Sequence, residues 1–241
     1  MNNNEKIMAA HQPNFLPYLG FFDKLRRSDI FLIRDEVLYV KHDFHHRNKI
    51  RINSDNNYQN PKSKYIGVPV TDPHDYIKYV SIKDNGMRKN KPWKEEILHE
   101  IQVSYQHMPH FKKYFPQLKE IISASNGNLL SLNMNLISFI SQNLGINTKI
   151  ILASELGLKP EHYEKSDPSE DLVKLCKAVG ANVYLSGDGA REYLKLEPFQ
   201  KEGIRVQFQN YKHPTYTQAF PGFVPFMSAI DALFCNGGIP Q

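Results

Sequence analysis

From Thr148 onward the sequence alternates between two kinds of segment. Short apolar runs at Thr148–Ala153, Asn182–Ser186 and Ile204–Asn210 are separated by stretches of helical spacing, Ser169–Val179 and Gly189–Leu194. Strands that alternate with helices form a parallel sheet flanked by helices, because each parallel pairing needs a crossover to carry the chain back. The N-terminal segment joins the same pattern. Lys6–Ala10 reads as a first strand that breaks abruptly into His11, Gln12 and Pro13 and then feeds a helix over Phe21–Arg27. Asp29–Asp35 reads as a second strand. The expected fold class is therefore α/β, a mainly parallel sheet flanked by helices.

The middle of the chain reads differently. His42–Asn60 is polar and rich in His, Arg and Asn, which suits loop or edge structure, and Tyr65–Val70 is a short strand closed by Pro69 and Pro73. Helical spacing then takes over at Trp93–Tyr105 and Phe111–Ile122, where Pro116 predicts a break or a helix start. Leu129–Leu144 is the clearest helix, with Gly145 placed as a C-cap. These segments read as a helical insertion over the sheet edge at about residues 93–144. Met227–Cys235 is the last helix, closed by Gly237 and Gly238. No Ser/Gly-rich or strongly charged linker divides the sequence, so one domain over residues 1–241 is expected.

Composition narrows the partners. The 30 Lys and Arg against 25 Asp and Glu leave a formal charge of +5, a mild bias toward anions such as a nucleotide or a sugar nucleotide. The basic residues are dispersed and not interleaved with aromatics on one helix, so a nucleic acid is not the expected partner. Cys176 and Cys235 are far apart with no CxxC spacing, which points to free thiols in a reducing compartment. The opening Met1-Asn-Asn-Asn-Glu-Lys lacks the apolar core of a signal peptide, and no run approaches the roughly 20 apolar residues of a membrane span. A cytoplasmic protein is expected.

Ligands of open parallel sheets bind beyond the carboxyl ends of the strands. His11 and Gln12 stand there after the first strand. Asp35 ends the second, where a carboxylate can act as a general base, grip a ribose or amine, or simply be solvated. The segment Ser186-Gly187-Asp188-Gly189 follows a later strand, and a glycine-rich turn at that place can face its backbone N–H groups to an anion. It lacks the lysine of a P-loop and the full dinucleotide fingerprint, so a plain tight turn is the other reading. Arg191 either serves the anion or faces water. If the strands are neighbours, His11 and Ser186 line one cleft. Elsewhere, Arg47, Asn48 and Lys49 read as an anion-binding edge. The adjacent His42, His45 and His46 do not have recognisable zinc spacing, and no metal is expected. Tyr211, His213 and Tyr216 are suited to stacking on a base or sugar. Ser228 is placed to cap the last helix, with Asp231 in its first turn. No nucleophile elbow occurs.

The segments His11-Gln-Pro-Asn-Phe-Leu-Pro-Tyr-Leu-Gly-Phe-Phe-Asp23, Arg47-Asn-Lys-Ile50, Tyr184-Leu-Ser-Gly-Asp-Gly-Ala-Arg-Glu-Tyr-Leu194 and Met227-Ser-Ala-Ile-Asp-Ala-Leu-Phe234 together resemble the WbqC-like protein family, in order and over nearly the whole chain. The resemblance carries over His11, Gln12, Pro13, Tyr18, Gly20, Arg47, Asn48, Ser186, Gly187, Gly189 and Tyr193. It implies a role in bacterial surface polysaccharide, particularly O-antigen, assembly: transfer of an amino-acyl group, glycine above all, to the amine of a nucleotide-linked amino sugar. The resemblance implies no tightly bound cofactor, but an activated donor: a carrier-protein thioester, an acyl-adenylate or an aminoacyl-tRNA. If the donor is the carrier-protein thioester, an acyl carrier protein is a partner. In that scheme His11 takes a proton or orients the amine, with Gln12 and Asp35 beside it. Ser186 to Gly189 bind an oxyanion or phosphate, Arg47 and Lys49 hold the diphosphate, and Tyr211 or Tyr216 lies against the base. A more distant likeness, to nucleotidyltransferases and class I synthetases, raises an adenylate-forming ligase as the alternative. The His-x-Pro turn lacks their second His, and no Lys-Met-Ser-Lys-Ser-like loop is present. A non-catalytic module that binds a sugar nucleotide or a partner is the third reading.

Overall fold

A computed structural model of the chain describes residues 5–53, 61–71, 75–83, 85–88, 91–158 and 167–240. In chain order the elements are β1 (Ile7–His11), α1 (Leu19–Arg26), β2 (Ile30–Ile33), β3 (Arg47–Ile52), β4 (Lys62–Gly67), β5 (Met87–Arg88), β6 (Lys91–Pro92), α2 (Trp93–Tyr105), α3 (Phe111–Ser123), α4 (Leu129–Asn143), β7 (Lys149–Leu152), α5 (Pro168–Ala178), β8 (Val183–Ser186), α6 (Glu197–Lys201), β9 (Arg205–Phe208) and α7 (Ala229–Asn236). They form two compact units. One comprises Met1–Gln12, Phe21–Val37 and Ile146–Lys212; the other comprises Pro13–Gly20, Leu38–Gly145 and His213–Gln241.

The first unit is built on a five-stranded sheet of order β7-β2-β1-β8-β9. Every pairing in it is parallel, as the strand and helix alternation predicts. The three inner strands, β2, β1 and β8, are four or five residues of nearly continuous apolar and mostly buried sequence, which is what burial on both faces demands, while the edge strands β7 and β9 are only partly buried. Met8, Ala10, Ile30, Leu32 and Tyr184 share one core cluster with Leu172, Val173 and Cys176 of α5 and Phe199 of α6. On the apolar stripe of α1, Phe21 meets Phe31 of β2 with ring centroids 5.1 Å apart. Helix α5 starts where Asp167 accepts a hydrogen bond from the Ser169 N–H, with Pro168 at its first position. It stops before Gly180, whose φ of 66° is the left-handed turn a C-cap requires.

The second unit holds an antiparallel pair, β3 with β4, a short pair, β5 with β6, and four packed helices. Its core is made by Trp93, Ile97, Ile101 and Tyr105 of α2, Leu118 and Ile122 of α3, Leu132, Leu136 and Ile140 of α4, and Leu233 and Phe234 of α7. Asn133, fully buried on α4, donates to the carbonyls of Pro13 and His45 at 3.0 and 2.8 Å and so ties two loops to the helix. Two local expectations are corrected here. Pro116 neither breaks nor starts α3; it lies inside the helix. It sits on the exposed face, where the carbonyl left without an N–H partner meets solvent, while Phe111, Tyr114, Leu118 and Ile122 hold the buried face. Ser228 precedes α7, but its side chain caps nothing; its Oγ is buried with no partner among the described residues. The polar stretch read as loop or edge contains β3, a strand of a two-stranded sheet; its residues 54–60, like Pro73, lie outside the described residues.

Candidate functional site

The five strands of the first unit occur along the chain as first β1, second β2, third β7, fourth β8 and fifth β9, so their spatial order is 3-2-1-4-5. The direction of winding reverses between β1 and β8. At such a switch point the connections leave the two carboxyl ends toward opposite sides and open a crevice. His11 ends β1 and Ser186 ends β8. Ala9 pairs with Leu185, so His11 and Gly187, each two residues further on, stand level at the two lips. The shared edge foreseen for these two turns is the one the topology produces.

His11 donates from Nδ1 to the carbonyl of Gln12 at 2.9 Å. A carbonyl only accepts, so in the neutral ring the proton is on Nδ1 and the lone pair is on Nε2. The imidazole edge also packs on Phe21 of α1, with ring centroids 5.0 Å apart. Ser186 is fully buried, with its Oγ 3.3 Å from the Gly187 carbonyl. Neither Gly187 nor Gly189 has a positive φ; a left-handed turn is not the reason for glycine at either place. Asp35 is buried and accepts from the N–H and hydroxyl of Ser154 at 3.0 and 2.6 Å. It fastens the end of β2 to the segment after β7. Glu36, next to it, pairs with Arg34, and burial is the largest cause of the rise in its pKa. Arg191 stacks on Phe208 at 3.9 Å and donates to the Asn210 side chain at 2.6 Å. Asp188 accepts the N–H groups of Asn210 and Tyr211, both at 2.9 Å. Asp188 and Arg191 thereby tie the turn after β8 to the one after β9, which carries Tyr211.

The sequence reading missed Lys24. It is 5% exposed, and its Nζ donates to the carbonyl of Ala10 in β1 at 2.9 Å. Burial lowers its pKa from 10.5 to about 8. A signal was present: Phe21, Lys24, Leu25 and Ser28 follow the i, i+3, i+4, i+7 rule, which puts a cation on the apolar stripe of α1. Buried lysines with perturbed titration mark functional sites more often than surface ones do.

The remaining candidates belong to the second unit. The Arg47 guanidinium lies 4.7 Å from the centre of the Tyr65 ring and donates to the His42 carbonyl at 2.6 Å. Lys49 approaches the same ring at 5.3 Å. Asn48 is buried and donates to the carbonyls of Phe15 and Leu16 at 3.1 and 2.7 Å. Leu16 has φ 45°, a left-handed conformation unfavourable for leucine, so Asn48 holds a strained turn. Tyr18 packs over Gly20, where a Cβ would come within 2.3 Å of the tyrosine ring. His213 stacks on Tyr216 with centroids 6.2 Å apart, and burial pushes its pKa down. Tyr216 donates to Asp231 at 2.8 Å. Asp231 also accepts from Tyr105 and Gln218 at 2.8 and 3.0 Å, a fully buried carboxylate whose pKa burial raises. His11, Gln12, Asp35, Ser186, Gly187, Gly189, Arg191 and Tyr211 thus gather in one unit, and Tyr18, Arg47, Asn48, Lys49, His213 and Tyr216 in the other.

Residues 12–239 match the WbqC-like protein family. The chain belongs to that family. The match begins one residue after His11. This WbqC-like chain is also 29% identical, over 96% of its own length and 94% of the relative's, to the uncharacterized protein Rv1507c of Mycobacterium tuberculosis. No solved structure matches it. Among the described residues no helix is long and apolar enough to cross a membrane.

Proposed function

We propose that this WbqC-like chain is an N-acyltransferase that places an amino-acyl group, glycyl in the first instance, on the amine of a nucleotide-linked amino sugar used for bacterial surface polysaccharide. The observation that carries the reading is the level placement of His11 and Gly187 at the reversal of a 3-2-1-4-5 parallel sheet, a position that suits a nucleotide. The sugar amine attacks the carbonyl of the activated acyl group. A C–N bond forms, the bond from the carbonyl carbon to the carrier's sulfur or oxygen breaks, and the amine proton passes to His11 Nε2. The developing oxyanion is met by backbone N–H groups of the Gly187–Gly189 turn, which act best when held in place beforehand.

The test is turnover of the full chain with UDP- and dTDP-linked amino sugars and a glycyl thioester, read by product mass. The wild type is expected to add one glycyl group. His11→Ala is expected to cut turnover roughly 100-fold or more while sugar-nucleotide binding stays within about twofold. Undiminished turnover in His11→Ala removes His11 from the mechanism. A second reading, adenylate formation, is favoured by the same sheet order, because the crevice suits ATP equally. It requires AMP release from ATP, glycine and the amino sugar. Nucleotide binding without product from any donor replaces both with a binding module.

A further inference from the structure

The backbone of Gly187 (φ −68°, ψ 154°) is one that any residue adopts. A Cβ built there meets one atom within 4 Å, the Lys24 Nζ, at 3.8 Å, an ordinary contact distance. Neither strain nor collision therefore asks for glycine at this position. What the absent side chain leaves is an open approach to one nitrogen. That nitrogen is nearly buried and donates to Ala10 O. Among the described residues its other two donor positions have no acceptor, and no carboxylate is paired with it. An ammonium so placed is costly unless an anion completes its hydrogen bonds. It stands between the end of β1 and the turn after β8, at the switch point described above.

We propose that Lys24 is the anion-binding group of this crevice and takes a phosphate oxygen of a nucleoside diphosphate across Gly187. This rests on the reading that the crevice holds a nucleotide-linked substrate. A phosphate is the fitting class because it offers several strong acceptor oxygens and enough charge to balance a cation that has no carboxylate of its own. The titratable groups at the same strand ends are His11 at the end of β1, Arg34, Asp35 and Glu36 after β2, and Asp188 after β8. None of them is a cause of the Lys24 shift, which burial alone produces. The cation is therefore uncompensated until a ligand arrives.

The experiment is isothermal titration of the full chain with UDP, with inorganic pyrophosphate and with uridine. The wild type, Lys24→Met and Gly187→Ala are compared. The methionine variant keeps the volume and removes the charge. The alanine variant keeps the charge and sets a methyl group on its approach. Both are expected to lose roughly 10- to 100-fold in affinity for UDP and pyrophosphate, the worth of one charge-assisted hydrogen bond, and to bind uridine as the wild type does. Wild-type affinity for UDP and pyrophosphate in both variants overturns the role of Lys24 while leaving the nucleotide reading intact. Pyrophosphate binding that depends on Lys24 without any UDP binding keeps the anion site and ends the nucleotide reading. No binding of either ligand to the wild type overturns both.

Discussion

Lys24→Met turns a buried cation into an apolar side chain of similar length, and its effect on stability has a calculable pH dependence. Burial moves the Lys24 pKa from 10.5 to about 8. At ~1.4 kcal/mol per unit, that difference is about 3 kcal/mol set against the folded state when the amine is charged. Below pH 8 both folded and unfolded chains carry the proton and the full cost is present. Between pH 8 and 10.5 the unfolded chain binds more protons than the folded one, so stability rises with pH, and above 10.5 the cost is gone. The Lys24→Met variant has no such ionisation. It also leaves the Ala10 carbonyl without its Lys24 donor, a loss of about 1–3 kcal/mol that does not vary with pH, so the variant is expected to stand about 0–2 kcal/mol above the wild type at pH 7 and to lose about 3 kcal/mol relative to it as pH rises through 8 to 10.5. Urea unfolding at pH 7, 8.5 and 10 measures it, as a difference between two proteins that share every other titrating group. Far-UV circular dichroism is the probe, because the single tryptophan, Trp93, reports the second unit. A difference between the two proteins that does not change with pH, or that moves in the variant's favour as pH rises, refutes the argument. A stability cost kept at a strand end is what a binding site predicts and a packing role does not.

The other perturbations act in the second unit, where Trp93 emission in urea follows them. Asp231→Asn replaces one oxygen of a carboxylate that receives only donors, from Tyr105, Tyr216 and Gln218, by an N–H₂ that faces them. A loss of roughly 2–4 kcal/mol is expected, and a change under about 0.5 kcal/mol would show that the cluster carries little stability. Asn48→Ala frees the carbonyls of Phe15 and Leu16 beside a left-handed leucine. It should cost about 1–3 kcal/mol, and an unchanged midpoint would assign the strain at Leu16 to other supports.

The sheet was legible because its strands are short, apolar and separated by helices, a pattern with few solutions. Gly145 and Gly180 end α4 and α5 where the helical spacing stops, since a left-handed cap is a local event that sequence records. Features that depend on distant partners were not legible. Helix α6 is five residues long and begins with Glu197 and Pro198, too short for any period to show. Arg51 reads as a solvated edge residue, yet it is fully buried and donates to the carbonyls of Lys62, Phe220, Pro221 and Gly222. The last three acceptors come from a segment about 170 residues away, and nothing near Arg51 announces them. The same holds at the candidate site. The turns that carry His11 and Gly187 are legible as strand exits, but the partner of buried Asp35, Ser154, stands on another strand's exit. The role of Lys24 is hard to read because a lysine among phenylalanines resembles a helix face at the surface.

Hydrogen–deuterium exchange of the full chain with and without a saturating UDP-linked amino sugar tests the central placement of the ligand most directly. Slowed exchange is expected in peptides that cover Gln12 and Gly187–Gly189, with the β3–β4 pair changed less. Saturation that leaves those amides untouched, or that protects the second unit alone, contradicts a site at the β1–β8 switch point.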